Sequence, residues 1–282
     1  MFVTIVALRF VVPLFIPRFP LPAIVAALVI DAVDQTVFQA VTDDPLLGYQ
    51  TYDKALDVYY LSIAYCSTMR NWRDPVAFGL SRGLFLYRLV GVALFEILGQ
   101  RWVLLVFPNT FEYFFIAYEA VATRWSPRRL RPAAVVSLAG AIWVFVKLPQ
   151  EWWIHVAKLD FTEFMADRPW LWWVLAAAAA VAAVALSGRW RRLPPPDWRL
   201  TFDADRHVPD VEPDRRPPSL RDPVLIEKAF VLALIGVIFA RVLPGIESGD
   251  VGIAVGVAAL VVINEFVSEW WHRRGHSWPN AL

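Results

Sequence analysis

Cysteine is almost missing from this sequence. Cys66 stands alone among 282 residues, so no disulfide can close within the chain. Lysine is scarce as well: Lys54, Lys147, Lys158 and Lys228 are the only four among 27 basic residues, and arginine supplies the rest. Neither sign of charge prevails. The net of +1 gives no global field that would recruit nucleic acid. Several catalytic signatures are absent too: no GxxxxGK[ST] loop, no GxGxxG ahead of a helix, no GxSxG elbow, no CxxC and no HExxH. Nucleotide motors, acyl hydrolases and dithiol oxidoreductases therefore lack their usual equipment here. No internal repeat of useful fidelity is found.

What the chain has in excess is apolar residues. They make up 58% of it, against about 45–50% in soluble domains, and mean hydropathy is +0.48. The excess is gathered into long blocks, which predicts an all-α, polytopic integral membrane helix bundle of eight or nine transmembrane helices. The blocks cover 21–41, 54–69, 76–99, 102–123, 133–149, 170–187, 224–243 and 251–271. Residues 2–16 are a further apolar run, short and interrupted by Arg9 and Pro13, and read either as a ninth span or as an interfacial helix. The block at 102–123 is expected to break near Pro108. Fourteen tryptophans, many at block ends, fit anchoring at headgroup level.

The organisation that follows is a transmembrane bundle over 1–187, a hydrophilic loop over 188–222, and two further spans with a short tail over 223–282. The loop holds seven of the chain's 21 prolines among mixed charges, so its expected state is extended or disordered. Arg70 with Arg73, the basic stretch 124–131, the arginines at 189–192 and Arg273 with Arg274 fall on alternate turns. The positive-inside rule makes those turns, the 188–222 loop and the C-terminus cytoplasmic. The abundance of Ala, Val, Pro and Arg suggests a GC-rich bacterial genome, and so a bacterial cytoplasmic membrane. The expected partners are the lipid bilayer and, through helix faces, other membrane subunits or further copies of the chain; no nucleic acid is expected.

The most informative stretch is an acidic hairpin at 31–57. Asp31 and Asp34 are three apart, and Asp53 and Asp57 four apart, so at helical spacing each pair shares a face. A charged side chain at mid-bilayer costs roughly 2.5–3.5 kcal/mol on insertion scales, and something must offset that. One solution is ion pairing with Arg82 or Arg88 in the fourth block. Another is a cation: four carboxylates on two adjacent helices offer hard oxygen ligands for Mg²⁺ or Mn²⁺.

The order Asp31-x-x-Asp34, Gly48, Asp53-x3-Asp57 resembles the signature of CDP-alcohol phosphotransferases, D-x-x-D-G-x-x-A-R-x8-G-x3-D-x3-D. Gln35 stands where that signature has glycine, Phe38-Gln39 replaces Ala-Arg, and the last gap is one residue longer. The resemblance spans about 27 residues and implies a divalent-metal-dependent lipid phosphotransferase with Asp31, Asp34, Asp53 and Asp57 as metal ligands.

Glu112 and Glu119, seven apart in the block broken by Pro108, also carry charge into an apolar stretch. They either line a proton or cation path or pair with Arg82, Arg88 or Lys147. The broader expectation is therefore transport or permeation through an interior lined by Asp31, Asp34, Asp57, Arg82, Arg88, Glu112 and Glu119. A third function class is a structural or assembly subunit of a membrane complex. Near the C-terminus, Glu265, Glu269, His272 and His276 share helical spacing and read as polar residues leaving the membrane. Gly79-x3-Gly83 and Gly252-x3-Gly256 suggest close helix packing.

Overall fold

The structure, a computed structural model, describes residues 2–41, 49–100, 102–153, 157, 164–165, 167–190, 194–204, 220–242 and 249–273. Every regular element among them is helical. Phe2–Val11 (α1) leads through a 3-10 turn at Val12–Phe15 into Pro20–Val41 (α2), and Tyr49–Asn71 (α3) and Pro75–Leu98 (α4) follow. Trp102–Val106 (α5) and Thr110–Ala122 (α6) come next, then Pro132–Ile142 (α7), a π turn at Trp143–Lys147 and Leu148–Glu151 (α8). Leu171–Trp190 (α9), Pro223–Val242 (α10) and Asp250–Arg273 (α11) complete the order.

Local chemistry explains several of these boundaries. Asp74 opens α4 as a cap whose carboxylate accepts from the Val76 and Ala77 N–H groups, with Pro75 at the first position, where no donor is needed. Gly99 ends α4 in the left-handed region at φ 64, its N–H bonded to the Phe95 carbonyl. Pro108 keeps α5 and α6 from fusing, and Asn109 caps α6. The π turn also has a proline behind it. Pro149 has no N–H for the Phe145 carbonyl and its ring crowds that group, so the helix widens just ahead of it, where the Leu148 N–H reaches five residues back to Trp143.

α3 is the central helix. Every side chain from Leu56 to Tyr65 is buried, and a helix buried all round lies in the middle of a bundle. α1, α2, α4, α6 and α10 pack on it, and α11 packs on α10. A layer of aromatic rings crosses the bundle. Tyr65 stacks on Phe85 at 4.6 Å between centroids, Phe111 meets Phe85 edge-on, and Trp72 stacks on Phe115 and lies 4.0 Å from Tyr118.

One end of the bundle gathers three separate parts of the chain. Arg70 and Asn71 donate to the Pro17 carbonyl at 2.8 and 3.0 Å. Residues 194–204, part of the loop expected to be extended or disordered, are extended but held in place across the same end. The Asp197 N–H bonds the Arg124 carbonyl, the Thr201 N–H the Thr123 carbonyl and the Ala204 N–H the Arg18 carbonyl. The Asp197 carboxylate takes the Ser126 N–H at 2.8 Å and pairs with Arg129, while the Trp198 indole donates to the Ala122 carbonyl. These bonds to the helix ends replace the core that the segment's composition cannot supply.

Two stretches among the described residues, Pro75–Phe95 and Pro132–Glu151, are long and apolar enough to cross a membrane; Pro20–Ala32 and Val251–Val267 are apolar over shorter lengths. Length and apolarity thus support fewer crossings than the sequence reading expects. α3 carries too many polar residues, and the 102–123 block is divided at Pro108 into helices of 5 and 13 residues. The four glycines of the two GxxxG pairs face open space. Close helix approach occurs instead at Gly236, where an added Cβ would press on Val257 of α11, and at Gly91, where it would overlap the Phe107 side chain.

Candidate functional site: buried charges at a broken helix

The buried charges converge where α5 gives way to α6. Asp57, 8% exposed on α3, lies between two guanidinium groups: Arg9 of α1 and Arg88 of α4 each approach it to 3.9 Å. Arg9 also forms a close ion pair with Asp31 of α2. Arg88 reaches past Asp57 to the helix break, donating to the Phe107 carbonyl at 3.1 Å. Tyr87, one residue earlier, donates to the Val106 carbonyl at 2.6 Å. The carbonyls freed by the break are thus satisfied by side chains of α4. This is the circumstance in which interrupted helices persist at membrane depth.

On the other side of the break sits Glu112, 3% exposed. Its carboxylate accepts from the Tyr60 hydroxyl at 2.8 Å and from the Asn109 amide at 2.9 Å, while the Asn109 side-chain oxygen takes the Glu112 N–H. Asn109 thus caps α6 through its oxygen and holds the Glu112 carboxylate through its amide N–H. Lys147, 4% exposed and turned inward at the π turn, lies within electrostatic reach of Glu112, Glu151, Arg88 and Asp57. Its ammonium sits 4.1 Å from the centroid of the Tyr113 ring and donates to Gln150. Glu151 is buried one turn further on.

Among the described residues the cluster holds the cations Arg9, Arg88 and Lys147 and the carboxylates Asp31, Asp57, Glu112 and Glu151. With every group ionised it lacks one positive charge.

Four of the residues that the sequence singles out are therefore brought together: Asp31, Asp57, Arg88 and Glu112. Arg82 is not among them. Its side chain is 47% exposed and pairs with Glu227 of α10, which also accepts from the Tyr65 hydroxyl. Glu119 is also elsewhere, about 10 Å further along α6 by helix rise and beyond Phe114 and Phe115, where it accepts from the Trp72 indole. Of the four carboxylates grouped by the phosphotransferase resemblance, Asp34 and Asp53 lie outside the described side chains. The other two, Asp31 and Asp57, are both approached by Arg9. Among the described residues no group of three or more His, Cys, Asp and Glu converges on one point. Glu265 pairs with Lys228 at 3.0 Å, while Glu269, His272 and His276 lie outside the described side chains.

Arg9, Tyr60, Asn109 and Glu151 are members of the cluster that the sequence reading does not place there, and Lys147 enters it only as a possible partner for a glutamate. The signal for Arg9 and Lys147 is the same as for Asp31: a charge inside an apolar run. Nothing in the sequence marks Tyr60 among the eight tyrosines.

Comparison with known proteins finds no matching family model, no matching curated protein and no matching solved structure, so the site's own geometry carries the functional reading.

Proposed function

We propose that the protein is an integral membrane protein of eight or nine spans that moves protons or small cations through its bundle interior at the α5–α6 break. The observation that carries this reading is a coincidence in space. A discontinuous helix, a π turn and a buried charge cluster drawn from α1, α2, α3, α4, α6 and the α7–α8 segment meet at one place. Broken helices at mid-membrane recur at transporter ion and substrate sites, π turns occur often at functional sites, and intramembrane charges mark ion and proton pathways. The depth agrees. Asp57, Arg88 and Lys147 lie about 20–24 Å along their helices from the end that carries the basic turns, inside a hydrocarbon core about 30 Å thick. Among the described residues the cluster holds four carboxylates and three cations, a balance suited to taking up a mobile proton or cation.

In this reading the crossings are α2, α3, α4, the α5–α6 pair, the α7–α8 segment, α9, α10 and α11, with α1 as the ninth if it spans. The lipid faces include the exposed Trp172, Trp173 and Val181 of α9 and Val144 and Phe145 of the α7–α8 segment. The positive-inside rule puts the end with residues 70–74, 124–131 and 194–204 in the cytoplasm of a bacterial cell. The test is ion flux into liposomes holding the purified protein. Wild type should acidify or load the lumen under an imposed gradient, Glu112→Gln should abolish the flux, and Arg82→Gln should keep it. Flux equal to that of empty liposomes for protons, sodium and potassium alike would reject the reading.

One observation favours a second reading, that of an assembly subunit. The described side chains of α9 are almost all exposed, and an exposed apolar helix suits contact with another membrane chain or a second copy. Crosslinking in intact membranes through α9, without any ion flux, would establish that role.

A further inference from the structure

We propose that the cleft under the 194–204 segment is a binding site for a small organic cation, an amine or quaternary ammonium group. This inference stands on the cleft alone and does not depend on ion movement through the charge cluster. The cleft has a volume of about 250 Å³ and is formed by the α2 start, the 71–74 turn, the end of α6 and the strap. That is just below the ~300–1,000 Å³ of pockets for drug-sized ligands, so it fits a compact head of a few heavy atoms.

Its chemistry is specific. Glu119 lines it, and its side chain is a carboxylate 8% exposed. One oxygen of Glu119 accepts from the Trp72 indole at 2.6 Å, and among the described residues no cationic side chain pairs with it. The walls are aromatic: Trp72 and Tyr118 from the bundle, Trp198 and Phe202 from the strap. An aromatic enclosure with a carboxylate at its back is what a desolvated cation needs, since ring faces attract it and the carboxylate neutralises it. Among the lining residues Arg73 is the one opposing charge, and it is exposed at the rim, with Asp74 and Asp203 beside it.

The strap makes the enclosure rather than merely crossing it. Trp198 is pinned by its indole bond to the Ala122 carbonyl, and Thr201 by its backbone bond to Thr123, so the two wall residues Trp198 and Phe202 are held over Glu119. Such an ammonium group is offered in two forms, as a free solute or as the headgroup of a lipid such as phosphatidylcholine.

The experiment is calorimetric titration of the full chain, delipidated in detergent, with choline and tetramethylammonium. The neutral isostere 3,3-dimethylbutan-1-ol serves as the control for shape. Saturable binding of both cations and none of the alcohol is expected, with affinity falling by about tenfold or more in Glu119→Gln. Glu119→Gln keeps the Trp72 bond and so the fold, and matching melting curves for the two proteins check this. Arg73→Gln should tighten binding, because it removes the rim cation. A repeat in nanodiscs separates the sources: weaker choline binding in phosphatidylcholine than in phosphatidylglycerol discs identifies the lipid headgroup, and equal binding identifies the free solute. No binding of either cation, equal binding of the neutral alcohol, or an unchanged affinity in Glu119→Gln would overturn the proposal.

Discussion

Asp57 is the residue on which the cluster turns, because two guanidinium groups depend on it. Asp57→Asn removes the carboxylate that Arg9 and Arg88 both approach to 3.9 Å. Breaking a buried pair in this way typically costs about 3–5 kcal/mol, and a large fall in melting temperature in detergent is expected. Glu112→Gln is different. The amide oxygen still accepts from Tyr60, but the new NH2 faces the Asn109 side-chain N–H that the carboxylate accepts, so that bond is lost and a cost of about 1–3 kcal/mol follows. Arg82→Gln breaks a half-exposed pair and should cost less than about 1 kcal/mol. Melting curves of the three variants test the order, and an Asp57→Asn protein as stable as wild type would show that the guanidinium groups find other partners.

At the scale of elements, the break between α5 and α6 depends on how closely α4 can approach it. Gly91 allows that approach, since any side chain there overlaps Phe107. Gly91→Val should therefore push the 107–109 segment away from α4 and lengthen the Arg88 bond to the Phe107 carbonyl. The expected destabilisation is about 1–3 kcal/mol, with loss of flux even though no charge is changed. The strap gives a second expectation. Asp197→Ala removes both the bond to the Ser126 N–H and the Arg129 pair, so amides in 194–204 should exchange hydrogen faster while those of α3 stay protected.

The helices themselves were largely legible, and so was the break at Pro108, because proline acts through its own backbone. For Asp31 the sequence offers Arg82 or Arg88 as a partner, whereas the structure pairs it with Arg9 and brings Arg88 to Asp57. Arg82 and Arg88 could not be told apart. They are six residues apart on one apolar helix, and only the way α4 and α10 both pack on α3 decides that the first meets Glu227 at the surface and the second the core. Lys147 is legible as a candidate partner for a glutamate, but not the π turn that carries it, whose cause is a proline two residues later. The strap's extended course is legible, but not its fixed place, because composition reports the lack of a core but not the carbonyls and N–H groups that a neighbouring helix end can offer.

For the whole molecule, the two-ended arrangement makes a topological prediction that the single native cysteine makes easy to check. In a Cys66→Ser background, cysteines placed at Arg73, Arg129 and Arg199 should react with a membrane-impermeant thiol reagent from the same side of sealed vesicles. A cysteine at Gln100 should react only from the other side. Labelling of all four from one face would mean that α4 does not cross, and the bundle would have to be read as lying on the membrane.

The most direct test of the central claim asks whether the path reaches the break. Thr110 is 2% exposed at the first position of α6, and among the described residues its hydroxyl has no hydrogen-bond partner. Thr110→Cys nearly preserves its size. In the Cys66→Ser background the measurement is the rate at which a small charged thiol reagent modifies this position from each side of the membrane. A conducting interior predicts modification from at least one side, at a rate that changes when a proton or ion gradient is imposed. Complete protection from both sides under every gradient, in a protein that melts like wild type, would contradict the account and leave the charge cluster as a structural clamp.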